Sequence, residues 1–169
     1  MKRLTLIRHA KSSWDHPELR DIDRPLAQRG LRDAPRIGKY LLERWIVFDQ
    51  IISSPAKRAH ETAKLVAHNM WRDEWAIETS TLLYESWNSD GNDILEYVSK
   101  HAKGESTAIV GHNDSFERLA LRLSQWEICR FPTCAVASFV FEIEDWSEVV
   151  NENYPELDFF VVPKMLHND

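Results

Sequence analysis

The chain has 169 residues and carries 27 acidic against 21 basic side chains, a formal net charge of -6. That length suits a single domain, residues 1–169, with a core of its own. The acidic balance argues against a broad surface for nucleic acid or anionic lipid, so any anion site has to be a local gathering of Arg and His.

Met1-Lys2-Arg3 is basic, but only the short run Leu4 to Ile7 follows before Arg8 and His9. Neither a signal-peptide apolar region nor a membrane span fits there, and a soluble, cytoplasmic protein is expected. The run 4–7 is continuous rather than alternating, as in a strand covered on both faces. A polar loop (11–30) leads to a helical stripe of Leu31, Ala34, Gly38, Leu41, Leu42 and Trp45, in which Pro35 predicts a kink or a late start. Gln50-Ile51-Ile52 reads as a strand, followed by Ser54 as N-cap and Pro55 at the first position of a helix buried through Ala59, Ala63, Val66, Ala67 and Met70.

Further along, Thr79 to Leu83 reads as a strand. Ile94, Leu95, Val98 and Ala102 mark a helix that begins near Asp90 or Asn92. Thr107 to Val110 is another strand, ending in Gly111-His112-Asn113, and Phe116, Leu119, Ala120 and Leu123 give the next helical stripe. Ala135 to Ile143 and Phe159 to Val162 read as strands with no helix between them. The alternation predicts an α/β three-layer sandwich: a mostly parallel central sheet, helices on both faces, and an antiparallel edge strand near the C-terminus. The seven tryptophans are scattered, and most are expected to pack in the core or at its rim. Cys129 and Cys134 lack the pairing of a disulfide framework or a zinc site and are expected as reduced thiols.

Three segments share one design, a buried strand that ends in polar residues: Ile7-Arg8-His9, Ile52 to Arg58, and Val110 to Asn113. In open α/β sheets ligands sit beyond the carboxyl ends of the strands, so Arg8, His9, Arg58 and His112 can meet there. The second segment adds a physical clue. A helix N-terminus favours negative charge, yet Lys57 and Arg58 stand in this first turn. A bound anion resolves the conflict for Arg58, since backbone amides and an Arg fork make a phosphate cradle; Lys57 is expected to bend into solvent. His16, His60, His68, His101 and His167 lack the strand-end context. No HExxH or two-His-carboxylate spacing points to a metal, and no cofactor is expected.

The segments LIRHAKSSW (6–14), DRPLAQRG (23–30), SSPAKRAHETA (53–63) and VGHND (110–114) resemble the histidine phosphatase superfamily, in order and spacing its small SixA-type branch of protein phosphohistidine phosphatases. The resemblance spans nearly the whole chain and implies the phosphoglycerate mutase-like fold. It implies His9 as the nucleophile that takes the phosphoryl group, Arg8 and Arg58 as phosphate-binding arginines, and His112 as a second pocket histidine on a phosphoryl oxygen. Ser12 keeps the family's serine position. Asp15 stands where relatives carry Asn, and its charge would repel the ligand.

Phosphate-ester hydrolysis needs a general acid for its alkoxide, whereas a phosphohistidine expels an imidazole that is easily protonated. Glu85 is the one position resembling the glutamate of esterase and mutase relatives; the alternative is an exposed loop carboxylate. The chain has no room for the insertions that enclose small substrates. The leading expectation is therefore metal-independent hydrolysis of phosphohistidine on a partner protein, such as a phosphotransfer domain. A small-molecule phosphomonoesterase is the alternative, and a catalytically weak phospholigand-binding module is a reading of a different class. Arg20 or Arg24 either helps to hold a phosphoprotein or pairs with Asp21 and Asp23 inside the loop.

Overall fold

A computed structural model describes residues 1–70, 76–152 and 154–167. The apolar run at the N-terminus lies in strand β1 (Lys2–Arg8), which pairs in parallel with β4 (Ser106–Gly111) on one side and antiparallel with β5 (Val136–Phe141) on the other. Strand β2 (Gln50–Ser53) runs parallel to β4, the short β3 (Glu78–Thr79) parallel to β2, and β6 (Glu156–Val161) closes the far edge antiparallel to β5. The order across the six-stranded sheet is β3-β2-β4-β1-β5-β6.

Alternating residues of the central strands divide the core. Leu4, Leu6, Ile52 and Ile109 face α4 (Asn92–His101) and α5 (Ser115–Leu123), which contribute Ile94, Val98, Phe116 and Leu119. Ile7, Ile51, Ala108 and Val110 face α1 (Gln28–Glu43) and α2 (Lys57–Asn69), through Ile37, Leu41, Ala63 and Val66. Three layers result, as the sequence predicts, because parallel strands have to be covered on both sides. The register sets Arg8 against Gly111 and Ser53 against Val110, so the three polar strand ends lie side by side.

Several local expectations are revised. Helix α1 begins at Gln28, seven residues before Pro35, so there is no late start. Its buried stripe is Gly30, Ala34, Ile37, Gly38 and Leu41, while Leu31 and Trp45 are exposed. Close approach decides this: a Cβ on Gly30 would lie 2.3 Å from the Lys11 carbonyl oxygen, and one on Gly38 2.5 Å from that of Val66. Only the glycine edge of α1 can press against the neighbouring backbone.

The strand expected over 79–83 stops at Thr79, and Leu82–Glu85 forms a one-turn helix, α3. Its partner β2 ends at Ser53, so a longer strand would have no ladder to join. Helix α2 begins at Lys57 with Ala56 at the N-cap, not at Pro55 behind Ser54. Of the described tryptophans only Trp146 is buried; Trp14, Trp45, Trp87 and Trp126 are exposed, and Trp71 and Trp75 lie outside the described residues. Trp45 and Trp126 have φ of 59° and 73°, left-handed positions that end α1 and α5 beyond their buried turns.

Candidate active site

His9 follows the last residue of β1 and is buried, its backbone N–H donating to Gly111 O (3.0 Å) and its carbonyl accepting from Cys134 N (3.1 Å). Its Nδ1 lies 2.7 Å from the Ala10 carbonyl oxygen. A carbonyl only accepts, so Nδ1 carries the proton and Nε2 presents a lone pair. Ala10 is held in turn, its N–H donating to Thr62 Oγ1 (2.9 Å) while that hydroxyl donates to Arg58 O (2.7 Å).

His112, just past β4, is also buried, with its ring centroid 5.1 Å from that of His9. Its Nε2 is 2.8 Å from Ser54 Oγ and its Nδ1 is 3.5 Å from Arg58 Nη2. Arginine only donates, so Nδ1 is the accepting nitrogen and Nε2 donates to Ser54. The serine expected as a helix cap is thus turned to the pocket, with Ala56 N also donating to it (3.2 Å).

Arg8 ends β1 and donates through Nη1 to Phe131 O (3.1 Å), while its buried Nε has no hydrogen-bond partner. Burial lowers its pKa, against the pull of Glu117 and Asp114. Arg58, in the first turn of α2, is buried and donates to the Asp21 backbone carbonyl (2.7 Å) and carboxylate (3.0 Å). The four groups named from the sequence as phosphate-handling therefore sit beside the same strand ends.

Their electrostatics favour an anion. Burial, then His112 and the Arg58 and Arg8 guanidinium groups, push His9 well below the ordinary histidine pKa. Burial and Arg58 push His112 down to about 3. Both imidazoles are neutral near pH 7, beside two guanidinium groups that stay cationic.

Two residues that sequence reasoning did not assign to the pocket complete it. The Asp21 carboxylate accepts from Arg58, from Tyr84 Oη (2.9 Å) and from Arg24 Nη1 (3.2 Å). Burial alone would raise its pKa, but the Tyr84 and Arg58 bonds hold it lower. The Tyr84 ring meets His112 edge-on at 5.6 Å. An acid three residues before Arg24 was the available signal, but it suggested local ion pairs, and nothing in the pattern linked it to Arg58.

The remaining candidates lie differently. Ser12 is buried and accepts from Arg24 Nη2 (2.6 Å), which ties its oxygen to the loop. Arg24 pairs with Asp21 and lies over the Trp14 ring, and Arg20 pairs with Asp23, so both arginines serve ion pairs within the loop. Lys57 reaches Glu61 (3.9 Å) in solvent, and Asp15 is exposed. Glu85 is exposed on α3 and joins none of the pocket's hydrogen bonds. Among the described residues no group of three or more His, Cys, Asp or Glu is placed to hold a metal ion, and no helix is long and apolar enough to cross a membrane.

Two arginines and two neutral histidines meet at the strand ends of a three-layer α/β fold, an arrangement suited to an anion. The model of the histidine phosphatase superfamily (branch 1) matches residues 4–87, and the chain belongs to that superfamily. It is a phosphatase of the SixA-type branch. An uncharacterized chloroplastic protein of Arabidopsis thaliana is 32% identical over 156 residues, 87% of this chain and 70% of that one. Phosphohistidine phosphatase SixA from Agrobacterium tumefaciens is 25% identical with a TM-score of 0.74, over 96% of this chain and 98% of that one. Its counterpart from Nakamurella multipartitia, 21% identical, has a TM-score of 0.80 over 96% of each chain.

Proposed function

We propose that this phosphatase removes the phosphoryl group from phosphohistidine on a partner protein, through a covalent intermediate on His9. The observation that carries the reading is the Nδ1–H bond to Ala10, which leaves His9 Nε2 bare among Arg8, Arg58 and His112. In the first step Nε2 forms a bond to phosphorus as the substrate's P–N bond breaks, and the departing imidazole takes a proton from solvent. Arg8 and Arg58 offset charge on the phosphoryl oxygens as the group passes in line. The phosphorylated His9 ring is a cation, stabilised by the Ala10 carbonyl on Nδ1–H. Water then attacks phosphorus, the P–Nε2 electron pair returns to His9, and the water's proton leaves to solvent. With Nε2 on Ser54, His112 gains a proton at Nδ1 as the anion arrives and becomes a donor to it.

The leaving group follows from the missing acid. Asp21 is bonded to Arg58 and held below its usual range, and Glu85 is exposed, so a substrate that expels an easily protonated imidazole fits best. The SixA relatives, described as phosphohistidine phosphatases, agree with this reading. A small-molecule phosphomonoesterase is the second reading. It is favoured by one observation, that Glu85 adjoins Tyr84, whose ring packs on His112.

Rapid-quench labelling with radioactive phosphoramidate tests the intermediate. Acid-labile, alkali-stable phosphate on His9 that turns over is expected, and it should vanish in His9→Ala. Unlabelled protein would leave only a phospholigand-binding module. Release from a phosphohistidine protein, compared with release from small esters, tests the substrate.

A further inference from the structure

One face of this acidic protein departs from its net charge. Between the exposed side of α1 and the segment 162–167 runs a groove whose two halves share Arg32, Arg36 and Leu166. Among the described residues, Arg29, Arg32, Arg36, Lys39 and Lys164 line it with two carboxylates, Asp33 and Glu43. Asp33 is buried beneath the arginines, within 3.3 Å of Arg32 and 3.5 Å of Arg36, and the exposed Glu43 pairs with Lys39 at 4.0 Å, so the excess positive charge at the rim lies at Arg29, Arg32 and Lys164. Tyr40, Leu166 and Pro163 give the floor an apolar part, and Met165 beside them is exposed.

One end of the groove, at Arg29 and Thr133, is tied to the backbone that carries His9. Arg29 donates to Thr133 Oγ1 (3.1 Å), and the N–H of the next residue, Cys134, donates to the His9 carbonyl (3.1 Å). The N-cap of α1, Ala27, donates to Lys11 O (2.8 Å), two residues beyond His9. A macromolecule whose phosphoryl group lies on His9 can therefore continue across Thr133 into the groove, where a free phosphoester would not reach.

We infer that this groove docks the acidic, partly apolar surface of the phosphoprotein substrate, an inference that rests on the protein-phosphatase reading of the pocket. Cationic rim groups raise the capture rate of an acidic partner and make it salt-dependent, while the apolar floor adds contact area once the partner is seated.

Arg32→Glu with Lys164→Glu reverses two exposed charges and leaves Asp33 with Arg29 and Arg36. With an acidic histidine phosphotransfer domain, phosphorylated on His, kcat/KM should fall about tenfold or more. With free phosphohistidine it should change less than about twofold, since that substrate touches the pocket alone. Raising ionic strength from about 0.05 to about 0.3 M should slow the native protein on the domain and close the gap to the variant. Equal losses on both substrates, or no loss on either, would overturn the docking surface.

If the native protein hydrolyses small esters but no phosphohistidine, the substrate reading fails and the groove is tested by binding. Titration of the unphosphorylated acidic domain into His9→Ala, with and without the two charge reversals, should show weaker binding in the reversed protein. Unchanged binding, or equally tight and equally charge-dependent binding of a DNA duplex, would overturn it.

Discussion

Arg58 and Asp21, 37 residues apart, are joined by two hydrogen bonds: Nη1 to the aspartate's backbone carbonyl at 2.7 Å and Nη2 to its carboxylate at 3.0 Å. Asp21 occupies the Nη1–Nη2 edge of a planar fork, which leaves the Nε–Nη2 edge turned to His112. Tyr84 and Arg24 hold the same carboxylate in place. A loop acid thus aims the arginine proposed to bind phosphate.

If aim outweighs repulsion, Asp21→Ala raises the inhibition constant for inorganic phosphate about tenfold, in keeping with the cost of small misplacements at reacting centres. Asp21→Asn, which keeps the backbone carbonyl and one side-chain oxygen for Arg58 while giving up the acceptor for Arg24, should recover most of the loss. Competitive inhibition measures both variants, and tighter phosphate binding in Asp21→Ala would show that the carboxylate chiefly repels.

The depressed pKa of His9 bears on rate. His9, the proposed nucleophile, is neutral at every pH above its lowered value, so its single-turnover phosphorylation should stay flat from pH 8 through 6.5. A fall centred near 6.5, the unperturbed histidine value, would contradict the burial that the structure assigns to it.

His112 ties stability to pH with a definite sign. Below pH 6.5 the unfolded chain protonates this histidine, while the folded one resists until about 3. Stability is therefore lost as pH falls through that window, by up to about 1.4 kcal/mol per unit from this group. Urea unfolding at several pH values should show a shallower decline in His112→Gln. Phosphate should steepen protection at low pH, because the anion lets His112 take its proton.

Glu85→Gln should leave turnover of a phosphohistidine protein within about twofold, the behaviour of an exposed side chain outside the pocket. Loss confined to small esters would instead assign Glu85 as their general acid. Steady-state assays on the two substrates side by side decide between them.

Gly30→Ala forces a Cβ to within 2.3 Å of the Lys11 carbonyl oxygen, on rigid backbone next to the residue that sets the His9 tautomer. A loss of about 1–3 kcal/mol in unfolding free energy is expected, together with slower labelling of His9. Thermal unfolding and quench assays measure the two effects.

The patterns that survive in the structure are those set by local chemistry. A continuous apolar run at 4–7 has to be covered on both faces, and polar residues placed straight after three such runs have to emerge at strand ends. That logic located Arg8, His9, Arg58 and His112. It failed where a neighbour decides: Ser54 is not the N-cap of α2, its hydroxyl being shared between His112 and the Ala56 N–H, and the run 79–83 bends into a helix because β2 ends at Ser53.

The sequence by itself determined the layered fold and four polar groups that meet at its strand ends, since both follow from periodicity and from residues close to one another in the chain. Only the tertiary structure decided how those groups are tuned. The His9 proton sits on Nδ1 because Ala10 is anchored on Thr62, and Arg58 is aimed because Asp21, itself held by Tyr84, reaches it from a distant part of the chain. Burial of both histidines beside two guanidinium groups, which makes them neutral, belongs to packing and to no single stretch of chain.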